Sequence, residues 1–302
     1  SKENVFESLS MVNPSVINMS FPSNIKKICE FAFINCRNLK TVNFDKNTSL
    51  SIIGKYAFTR SSIEKIIIPK SVTIIEESAF SECSKLKSIQ FEENSKLEKI
   101  EKDAFKGTLI DRIEIPENVY SIDHSLFDNI SYLKFVSIRN NDSFTDIDNK
   151  MVATKTKEKF FDDLIFACHD IENVTIPSNI CTISTNAFSS CYHIKSFKFE
   201  PNSKLNLIGI KSFNTSTITS ITIPCNVTKI DQNAFYKCKK LKFVQFEANS
   251  KLEAIKEAAF RETAIESIII PKNVKSIHKK AFLQCRQLKS IIFEENSKLN
   301  II

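Results

Sequence analysis

Phenylalanine recurs along this chain of 302 residues at nearly fixed intervals. The gaps between successive members alternate between 25 and 22 residues, with one interruption of 61. The series comprises Phe33, Phe58, Phe80, Phe105, Phe127, Phe188, Phe213, Phe235, Phe260 and Phe282. A repeat of this length is typical of a solenoid, in which each coil has one hydrophobic side that only its neighbours can bury. The periodicity therefore predicts a stack of short coils.

Two kinds of repeat alternate and together form a unit of 47 residues. The first kind runs from Ile68-Pro69 through Val72 to Phe80 and Cys83. It also begins at Phe21, Ile115, Ile176, Ile223 and Ile270, each followed by proline. The second kind opens with Asn-Ser-Lys-Leu at Asn94, Asn202 and Asn249 and in variant form at Asn47.

Each repeat contains one stretch with the apolar spacing of a short strand. In the stretch 86–92, Leu86, Ile89 and Phe91 are apolar at spacings of three and two, which indicates a strand with one buried side. Equivalent strands start at Val16, Leu39, Ile63, Ile110, Leu133, Ile171, Ile194, Ile218, Leu241, Ile265 and Leu288. Between strands, the apolar spacing from Ile75 to Leu86 favours a short helix or helical turn. Proline, which lacks the backbone donor, ends every second strand.

The combined pattern Ile-Pro-x-x-Val-x-x-Ile-x-x-x-Ala-Phe-x-x-Cys-x-x-Leu-x-x-Ile-x-Phe resembles the BspA-like leucine-rich repeat family over nearly the whole chain. The resemblance implies an α/β solenoid, a right-handed leucine-rich-repeat-like stack of about twelve coils of 22–25 residues. It implies a parallel β-sheet on one face of the stack and short helices or helical turns on the other. Members of that family occur on bacteria of mucosal surfaces and in anaerobic protozoan parasites, and the family carries no catalytic motif.

We expect residues 1–302 to form a single solenoid with one inserted segment. The interval from Leu133 to Ile171 has fourteen residues more than its equivalent elsewhere, which places an inserted β-hairpin within residues 140–170. The first and last residues of the chain fall at nearly the same point of the repeat. We therefore expect the sequence to be a segment of a longer array.

The insertion contains two strand-like runs, 151–154 and 164–167, around a polar stretch that includes Phe160 and Phe161. One interpretation is that the hairpin fills the place of a coil and keeps the stack in register. The other is that it protrudes as a recognition element, with the two phenylalanines at its tip.

Charge is distributed in a way that favours a solvated surface. The first polar residues of successive strands are Lys40, Glu64, Lys87, Asp111, Lys134, Glu172, Lys195, Thr219, Lys242, Glu266 and Lys289. Opposite charges on neighbouring coils about 4.8 Å apart would help to hold the register. The net charge of +7 is spread among acidic residues, whereas nucleic-acid binding needs a basic stripe with stacking aromatics. No apolar run approaches the roughly 20 residues that span a bilayer.

Five of the nine cysteines follow the phenylalanine of a first-kind repeat by three residues. They are Cys36, Cys83, Cys191, Cys238 and Cys285. Successive members lie at least two coils apart, about 10 Å, which exceeds the Cα separation of about 4.4 to 6.8 Å in a disulfide. We therefore predict that they are free thiols in the core.

Catalytic, cofactor and metal sites are not expected. The four histidines, His124, His169, His193 and His278, occupy different repeat positions. The side chains of the run Cys168-His169-Asp170 are consecutive in sequence and diverge, whereas catalytic partners converge through the fold. The repeated acids Glu92, Glu247 and Glu294 are predicted to form a solvated edge.

Three apolar residues stand out at outward positions of the predicted strands. Alternation points Phe243, Ile269 and Ile292 away from the core on three consecutive strands, where most other strands carry polar residues and Ile67 and Phe135 are isolated exceptions. They are expected to form one exposed apolar patch. The patch indicates recognition of a partner or self-association, the ordinary strand preference of these residue types, or a contact with further coils at the C-terminal end of a longer array.

The sequence and the resemblance together predict a binding protein without catalytic activity. The preferred hypothesis is a cell-surface or secreted adhesin that contacts a host or microbial surface protein or a matrix component. The alternative is an intracellular scaffold, in the cytoplasm, that holds a protein partner. Candidate contact residues are Phe243, Ile269, Ile292, Phe160 and Phe161.

Overall fold

The computed structural model separates the chain into two compact units, Ser1–Asn149 and Lys150–Ile302. The boundary falls within the predicted insertion. The structure describes residues 13–123, 125–128, 130–155 and 160–302, and His124 lies outside them.

In the first unit, ladder strands of four residues alternate with short strands of two residues. The elements are β1 (Asn18–Phe21), β2 (Lys27–Ile28), β3 (Thr41–Phe44), β4 (Ile52–Ile53), β5 (Lys65–Ile68), β6 (Ile74–Ile75), β7 (Ser88–Phe91), β8 (Lys99–Ile100), β9 (Arg112–Ile115), β10 (Ser121–Ile122), α1 (Ser125–Asp128), β11 (Phe135–Ile138) and β12 (Phe144–Ile147). The ladder strands are the odd-numbered ones, β1 to β11.

The second unit begins with two longer strands and then repeats the same alternation. Its elements are β13 (Met151–Lys155), β14 (Phe161–Ala167), β15 (Asn173–Ile176), β16 (Thr182–Ile183), β17 (Ser196–Phe199), β18 (Leu207–Ile208), β19 (Ser220–Ile223), β20 (Lys229–Ile230), β21 (Phe243–Phe246), β22 (Ala254–Ile255), β23 (Ser267–Ile270), β24 (Ser276–Ile277) and β25 (Ser290–Phe293). Its ladder strands are the odd-numbered ones, β15 to β25. The twelve ladder strands of the two units correspond to the twelve strands that the sequence predicts, which confirms a parallel β-solenoid of about twelve coils.

The short strands form the continuous parallel sheets. In the first unit the order is β10-β8-β6-β4-β2, and in the second β14-β16-β18-β20-β22-β24. In each register the isoleucine of one short strand lies beside that of the next, as Ile53 lies beside Ile75, and both are buried. These isoleucines therefore line the core of the coils.

The ladder strands, by contrast, pair only two by two: β1 with β3, β5 with β7, β9 with β11, β15 with β17, β19 with β21, and β23 with β25. In five of the six pairs, the residue after the second strand donates its N–H to the last residue of the first, as Glu92 does to the carbonyl of Ile68 at 3.1 Å. The counterpart of Glu92 at the end of β9 is Pro116, which has no N–H to donate. The expected single sheet on this face is therefore divided at every second coil.

The prediction of short helices opposite the strands was wrong for most coils. Ser78 and Glu82 have positive φ values of 55° and 58° on either side of Phe80. The N–H groups of these three residues donate to carbonyls of the next coil at 2.6 to 2.9 Å. A continuous α-helix would direct each of them to the fourth preceding carbonyl of its own coil. Stacked turns therefore form this side, and among the described residues α1 is the one α-helix.

Within each unit the phenylalanines that define the repeat stack in a buried column, and Phe282, the last of the series, is half-buried. In the first unit the ring of Phe80 stacks on Phe58 and Phe105, with centroids 5.2 and 5.8 Å apart. In the second unit Phe235 stacks on Phe213 and Phe260 at 5.0 and 5.1 Å. All six rings are fully buried, so each coil buries its phenylalanine against the next.

The Asn-Ser-Lys-Leu motif builds a turn that links successive coils. Asn94 has a positive φ of 56°, which asparagine tolerates better than most residues. The hydroxyl of Ser95, which is buried, accepts the N–H of Leu97 at 3.3 Å. The amide of Asn118 in the next coil donates to the carbonyl of Ser95 at 2.8 Å. The motif thus satisfies its backbone groups with side chains from two coils.

In the insertion, β13 pairs antiparallel with β14. The other edge of β14 pairs parallel with β16, with Asp163 beside Thr182 and Leu164 beside Ile183. β14, the second strand of the hairpin, therefore occupies the position that a short strand occupies in other coils. This pairing favours the coil-filling interpretation for that strand.

Candidate functional site

The outward positions of the ladder strands are the surface most open to a partner. Along β5, Lys65 and Ile67 are exposed, whereas Ile66 and Ile68 are buried. The same alternation exposes the first and third residues of β19, β21 and β23. Each of these four ladder strands therefore offers two side chains that the core does not constrain.

The apolar patch, defined as Phe243, Ile269 and Ile292, lies in β21, β23 and β25 of the second unit. More than half of each side chain is exposed: 57%, 54% and 51%. Ile269 and Ile292 are direct partners in the register of β23 and β25. Phe243 occupies the first position of β21, whereas Ile269 occupies the third position of β23. The two residues are therefore offset by two positions along their strands. The three side chains thus span neighbouring ladder strands.

Charged residues of alternating sign precede the strands of the apolar patch, and the residue before β23 is Glu266. Lys242 and Lys289, both exposed, come directly before β21 and β25. A cleft of about 370 Å³ lies beside them, lined by Lys239, Glu262, Thr263, Ala264, Gln284, Arg286 and Gln287. Glu262 is engaged by the guanidinium of Arg261 at 3.4 Å. The edge of the patch therefore carries the exposed Lys242 and Lys289 together with the half-buried Glu266.

The first unit has a polar cavity of about 700 Å³ where the ladder is divided between β7 and β9. Ser88 and Gln90 line one side, and Arg112, Glu114 and Arg139 line the other. The guanidinium carbon of Arg112 lies 4.1 Å from the centroid of the Phe135 ring, so the guanidinium group covers this aromatic side chain. Sequence reasoning missed the cavity, although the proline after every second strand marks where the ladder divides.

The two phenylalanines of the hairpin differ in their surroundings. Phe160 is 69% exposed. Phe161 begins β14 and is half-buried, with the ammonium of Lys155 lying 4.7 Å from its ring centroid. The amide of Asn179 donates to the carbonyl of Phe161 at 2.7 Å. Phe160 is therefore the more accessible of the two to a partner.

The charged row along the ladder includes a direct ion pair. The ammonium of Lys195 lies 2.8 Å from the carboxylate of Glu172 on the preceding coil, and both side chains are exposed. Lys195 lowers the pKa of the Glu172 carboxyl through a hydrogen bond and its charge. Exposed pairs of this kind hold register without adding much stability.

The repeated acids have a defined structural role beyond the solvated edge that the sequence predicts. The carboxylate of Glu92 accepts the N–H of Lys70, the residue after Pro69 in the preceding coil, at 2.9 Å. Glu247 accepts the N–H of Cys225 at 2.8 Å, and Glu294 that of Lys272 at 2.9 Å. These exposed carboxylates therefore cap the backbone that follows each proline.

The repeated cysteines are buried free thiols, as predicted. Burial raises the pKa of Cys83 to about 11 and that of Cys238 to about 12. Their thiols donate to the carbonyls of Phe58 and Phe213 at 3.0 and 2.9 Å. Because the thiolate is the reactive form, these residues are poor nucleophiles near neutral pH.

The side chains of Cys168, His169 and Asp170 have separate environments. Burial raises the pKa of Cys168 to about 12 and lowers that of His169. The carboxylate of Asp170 is bound by the ammonium of Lys150 at 2.9 Å. The run therefore lacks the relay from acid through histidine to nucleophile that a catalytic triad requires.

The described part of the chain has neither a metal-binding cluster nor a membrane-spanning helix. Residues 13–123, 125–128, 130–155 and 160–302 contain no cluster of three or more His, Cys, Asp or Glu side chains that could hold a metal ion. Within the same residues, no helix is both long enough and apolar enough to cross a membrane.

A family model described as BspA type leucine rich repeat region, in six copies, matches this sequence. The matched segments are residues 4–134, 98–207, 134–242 and 206–302. No curated protein matches the chain.

Solved bacterial structures share the fold. The crystal structure of the pneumococcal vaccine antigen PcpA is 27% identical, with a TM-score of 0.77 over 93% of this chain and 69% of that one. A leucine rich cell surface protein from Faecalibacterium prausnitzii is 24% identical, with a TM-score of 0.60 over 95% and 78% of the two chains. A leucine-rich repeat protein from Eubacterium ventriosum is 18% identical, with a TM-score of 0.64 over 91% and 78%.

Proposed function

The chain belongs to the BspA-type leucine-rich repeat family, and from this premise we propose that it is a non-catalytic adhesin of the cell surface. Leucine-rich repeats of this family are generally scaffolds for binding rather than for catalysis. One structural relative is described as a cell surface protein and another as a vaccine antigen, and both descriptions support an exposed location for this protein. Its partner is a protein on a host cell, in the extracellular matrix or on another microbe.

The observation that carries the proposal is the apolar patch. Three large apolar side chains on neighbouring strands are more than half exposed, whereas Ile268 and Ile270 of β23 are buried; Ile291 of β25 is 38% exposed. A contiguous patch of this kind marks an interface more often than scattered apolar residues do. Phe243 is its aromatic anchor, the residue type that contributes most to binding at protein interfaces.

The edge of the patch indicates the chemistry of the partner. Lys239, Lys242, Arg286 and Lys289 are exposed beside it. A partner that places apolar side chains on the patch and acidic side chains at its edge would satisfy both features. Its binding should weaken as salt is added, because exposed ion pairs are screened over about 8 Å at physiological ionic strength.

The test measures retention of the labelled chain on epithelial-cell layers and on an immobilised basement-membrane extract. The double variant Phe243→Ser with Ile269→Ser should bind at least about tenfold more weakly, with nearly unchanged thermal stability. Ile67→Ser is the matched control, since Ile67 is 52% exposed at the equivalent ladder position of the first unit. Equal binding by the double variant and the wild type would reject the patch as the contact surface.

A second candidate surface is the tip of the hairpin, because Phe160 is so widely exposed. Deleting residues 155–163 would also remove Asp163, which pairs with Thr182 in the sheet of short strands. Phe160→Ser is therefore the sharper change. If it lowers binding in the same assay while Phe161→Leu does not, the hairpin takes part in recognition; unchanged binding by Phe160→Ser assigns the hairpin to coil filling alone.

The proposed location is tested separately. Biotinylation of intact source cells with a reagent that does not cross membranes should label this protein, with a cytoplasmic enzyme as the unlabelled control. A protein that is labelled only after the cells are broken would favour the intracellular scaffold and contradict the adhesin.

A further inference from the structure

Two cysteines of the second unit occupy the same position in successive coils. Cys168 and Cys191 each stand three residues before the isoleucine that leads into a ladder strand, Ile171 in one coil and Ile194 in the next. The strands that follow, β15 and β17, are paired in register from Asn173 and Ser196, five residues after each cysteine. The other cysteines at this position, Cys36, Cys83, Cys238 and Cys285, have no cysteine at the equivalent position of the coil before or after.

The contacts of Cys191 place its thiol against the residue Cys168. The sulfur of Cys191 lies 3.8 Å from the carbonyl oxygen of Cys168 and 3.9 Å from that of Ala167. Both cysteines are fully buried and both are free thiols. Burial raises the pKa of Cys191, and the charge of an ionised Cys168 raises it further.

Other coils show what normally faces the thiol at this position. The hydroxyl of Ser61 lies 3.2 Å from the sulfur of Cys83. The hydroxyl of Thr263 lies 3.2 Å from the sulfur of Cys285. In both cases the hydroxyl comes from the preceding coil. In the coil before Cys191, His169 stands at the position of this hydroxyl and Cys168 stands one residue earlier.

We propose that Cys168 and Cys191 form a disulfide when the protein folds outside the reducing cytoplasm, cross-linking the end of the inserted hairpin to the coil that follows it. Equivalent positions of adjacent parallel coils lie about 4.8 Å apart, which falls within the Cα separation of about 4.4 to 6.8 Å that a disulfide needs. The cross-link would hold β14, and with it the exposed Phe160, on the second unit. This inference does not depend on the binding proposal.

The oxidant is a small disulfide such as oxidised glutathione. The thiolate of one cysteine attacks a sulfur of the oxidant, whose sulfur–sulfur bond breaks and releases one glutathione thiolate. The thiolate of the other cysteine then attacks the mixed disulfide and releases the second glutathione. The two protein thiols are oxidised, the oxidant is reduced, and both thiol protons pass to the released thiolates.

Burial determines when this exchange can take place. Because burial raises the pKa of Cys168 to about 12, the thiolate is scarce in the folded coil, and a bulky oxidant cannot enter it. The exchange therefore belongs to folding, before the coils close over the sulfurs. A protein folded entirely in reductant should stay reduced when the oxidant is added later.

The experiment refolds the full chain in a mixture of reduced and oxidised glutathione and, in parallel, in a reductant. Mass spectrometry of a protease digest kept non-reducing should find one cross-linked peptide pair, containing Cys168 and Cys191. The thermal midpoint of the oxidised wild type should rise by roughly 5 °C or more above that of the reduced protein. Cys168→Ser and Cys191→Ala should each abolish both the cross-link and the rise.

Cys83→Ser is the matched control, since it removes a buried cysteine of the same repeat position and should leave the cross-link and the rise intact. Two results would overturn the proposal. One is a chain that folds in the oxidising mixture, by circular dichroism, with both thiols still alkylatable after denaturation. The other is a set of mixed cross-links in which the pair of Cys168 and Cys191 is not preferred over the others.

Discussion

The ladder strands of the first unit and those of the second share a scaffold but present different surfaces. Around β7 and β9 the outward residues are Ser88, Gln90, Arg112 and Glu114, which line a polar cavity. On β21, β23 and β25 they form the apolar patch. The phenylalanine columns behind the two surfaces are alike in burial and spacing. The repeat therefore fixes the inward residues and leaves the outward ones free to determine what each unit binds.

The largest expected effect tests whether the two scaffolds are equivalent. Phe80→Ala in the first unit and Phe235→Ala in the second should each lower the free energy of unfolding by about 3 to 5 kcal/mol, because each leaves a cavity in a stacked column. Chemical denaturation followed by circular dichroism measures both. Phe243→Ala is the exposed control and should cost less than about 0.5 kcal/mol. A loss below about 1 kcal/mol in either unit would show that its column is not a tight core.

The second prediction exchanges an outward residue between the units. Ile292→Gln gives the pair Ile269–Ile292 the composition of the pair Ile67–Gln90, which are register partners in β5 and β7. Binding in the adhesion assay should fall about fivefold, equivalent to about 1 kcal/mol. The reverse change, Gln90→Ile, should not increase binding, since the first unit lacks the anchor Phe243. An increase with Gln90→Ile would mean that any exposed isoleucine pair suffices and that the basic edge is irrelevant.

A smaller effect is expected at the acids that cap the backbone after proline. Glu92→Ala and Glu247→Ala should each cost about 0.5 to 1 kcal/mol, because each frees one backbone N–H from a charge-assisted hydrogen bond. The loss should be similar in the two units, as measured by thermal unfolding. The neighbouring exposed acid Glu93 provides the control variant Glu93→Ala, with no expected change. If all three variants unfold at the same temperature as the wild type, water replaces the carboxylate as the hydrogen-bond partner without loss of stability.

The smallest expected effect concerns the division of the ladder. Pro116→Ala restores an N–H at the end of β9, within reach of the last residue of β7, while stability should change by less than about 0.5 kcal/mol. Hydrogen exchange measured by NMR should find the new amide protected, and the cavity between the two strands should narrow. A rapidly exchanging amide at residue 116 would show that something other than the missing donor keeps β7 and β9 apart.

Burial and register were readable from the sequence because they follow from apolar spacing alone. Phe80 and Cys83 are buried, as their recurrence at the same position of each repeat predicts. The helical prediction was wrong because the spacing from Ile75 to Leu86 suits a helix and a stacked turn equally well. The sign of φ at Ser78 and Glu82 is set by hydrogen bonds to the next coil, which a single repeat does not encode.

The surface was predictable only in part. Alternation along the strand correctly places Phe243 and Ile269 on the outside, whereas on β25 both Ile292 and the inward residue Ile291 are exposed. The polar cavity of the first unit was missed, because it depends on the distance between β7 and β9. Pro116 was interpreted as the end of one strand, whereas its larger effect is on the pairing of that strand with its neighbour.

Proline-closed strands, which a proline follows, alternate with strands that are followed by a capping glutamate. This alternation also limits how such a gene can lengthen. Deleting one coil would bring two proline-closed strands together or leave a glutamate without the amide that it caps. Deleting or duplicating two coils, 47 residues, restores every cap and every division of the ladder. The step of 61 residues from Phe127 to Phe188 is 47 plus 14, so the insertion lies within a double unit without changing its phase. A pair of coils is therefore the unit that can be duplicated or deleted in the gene. Arrays of this type should differ in length by even numbers of coils.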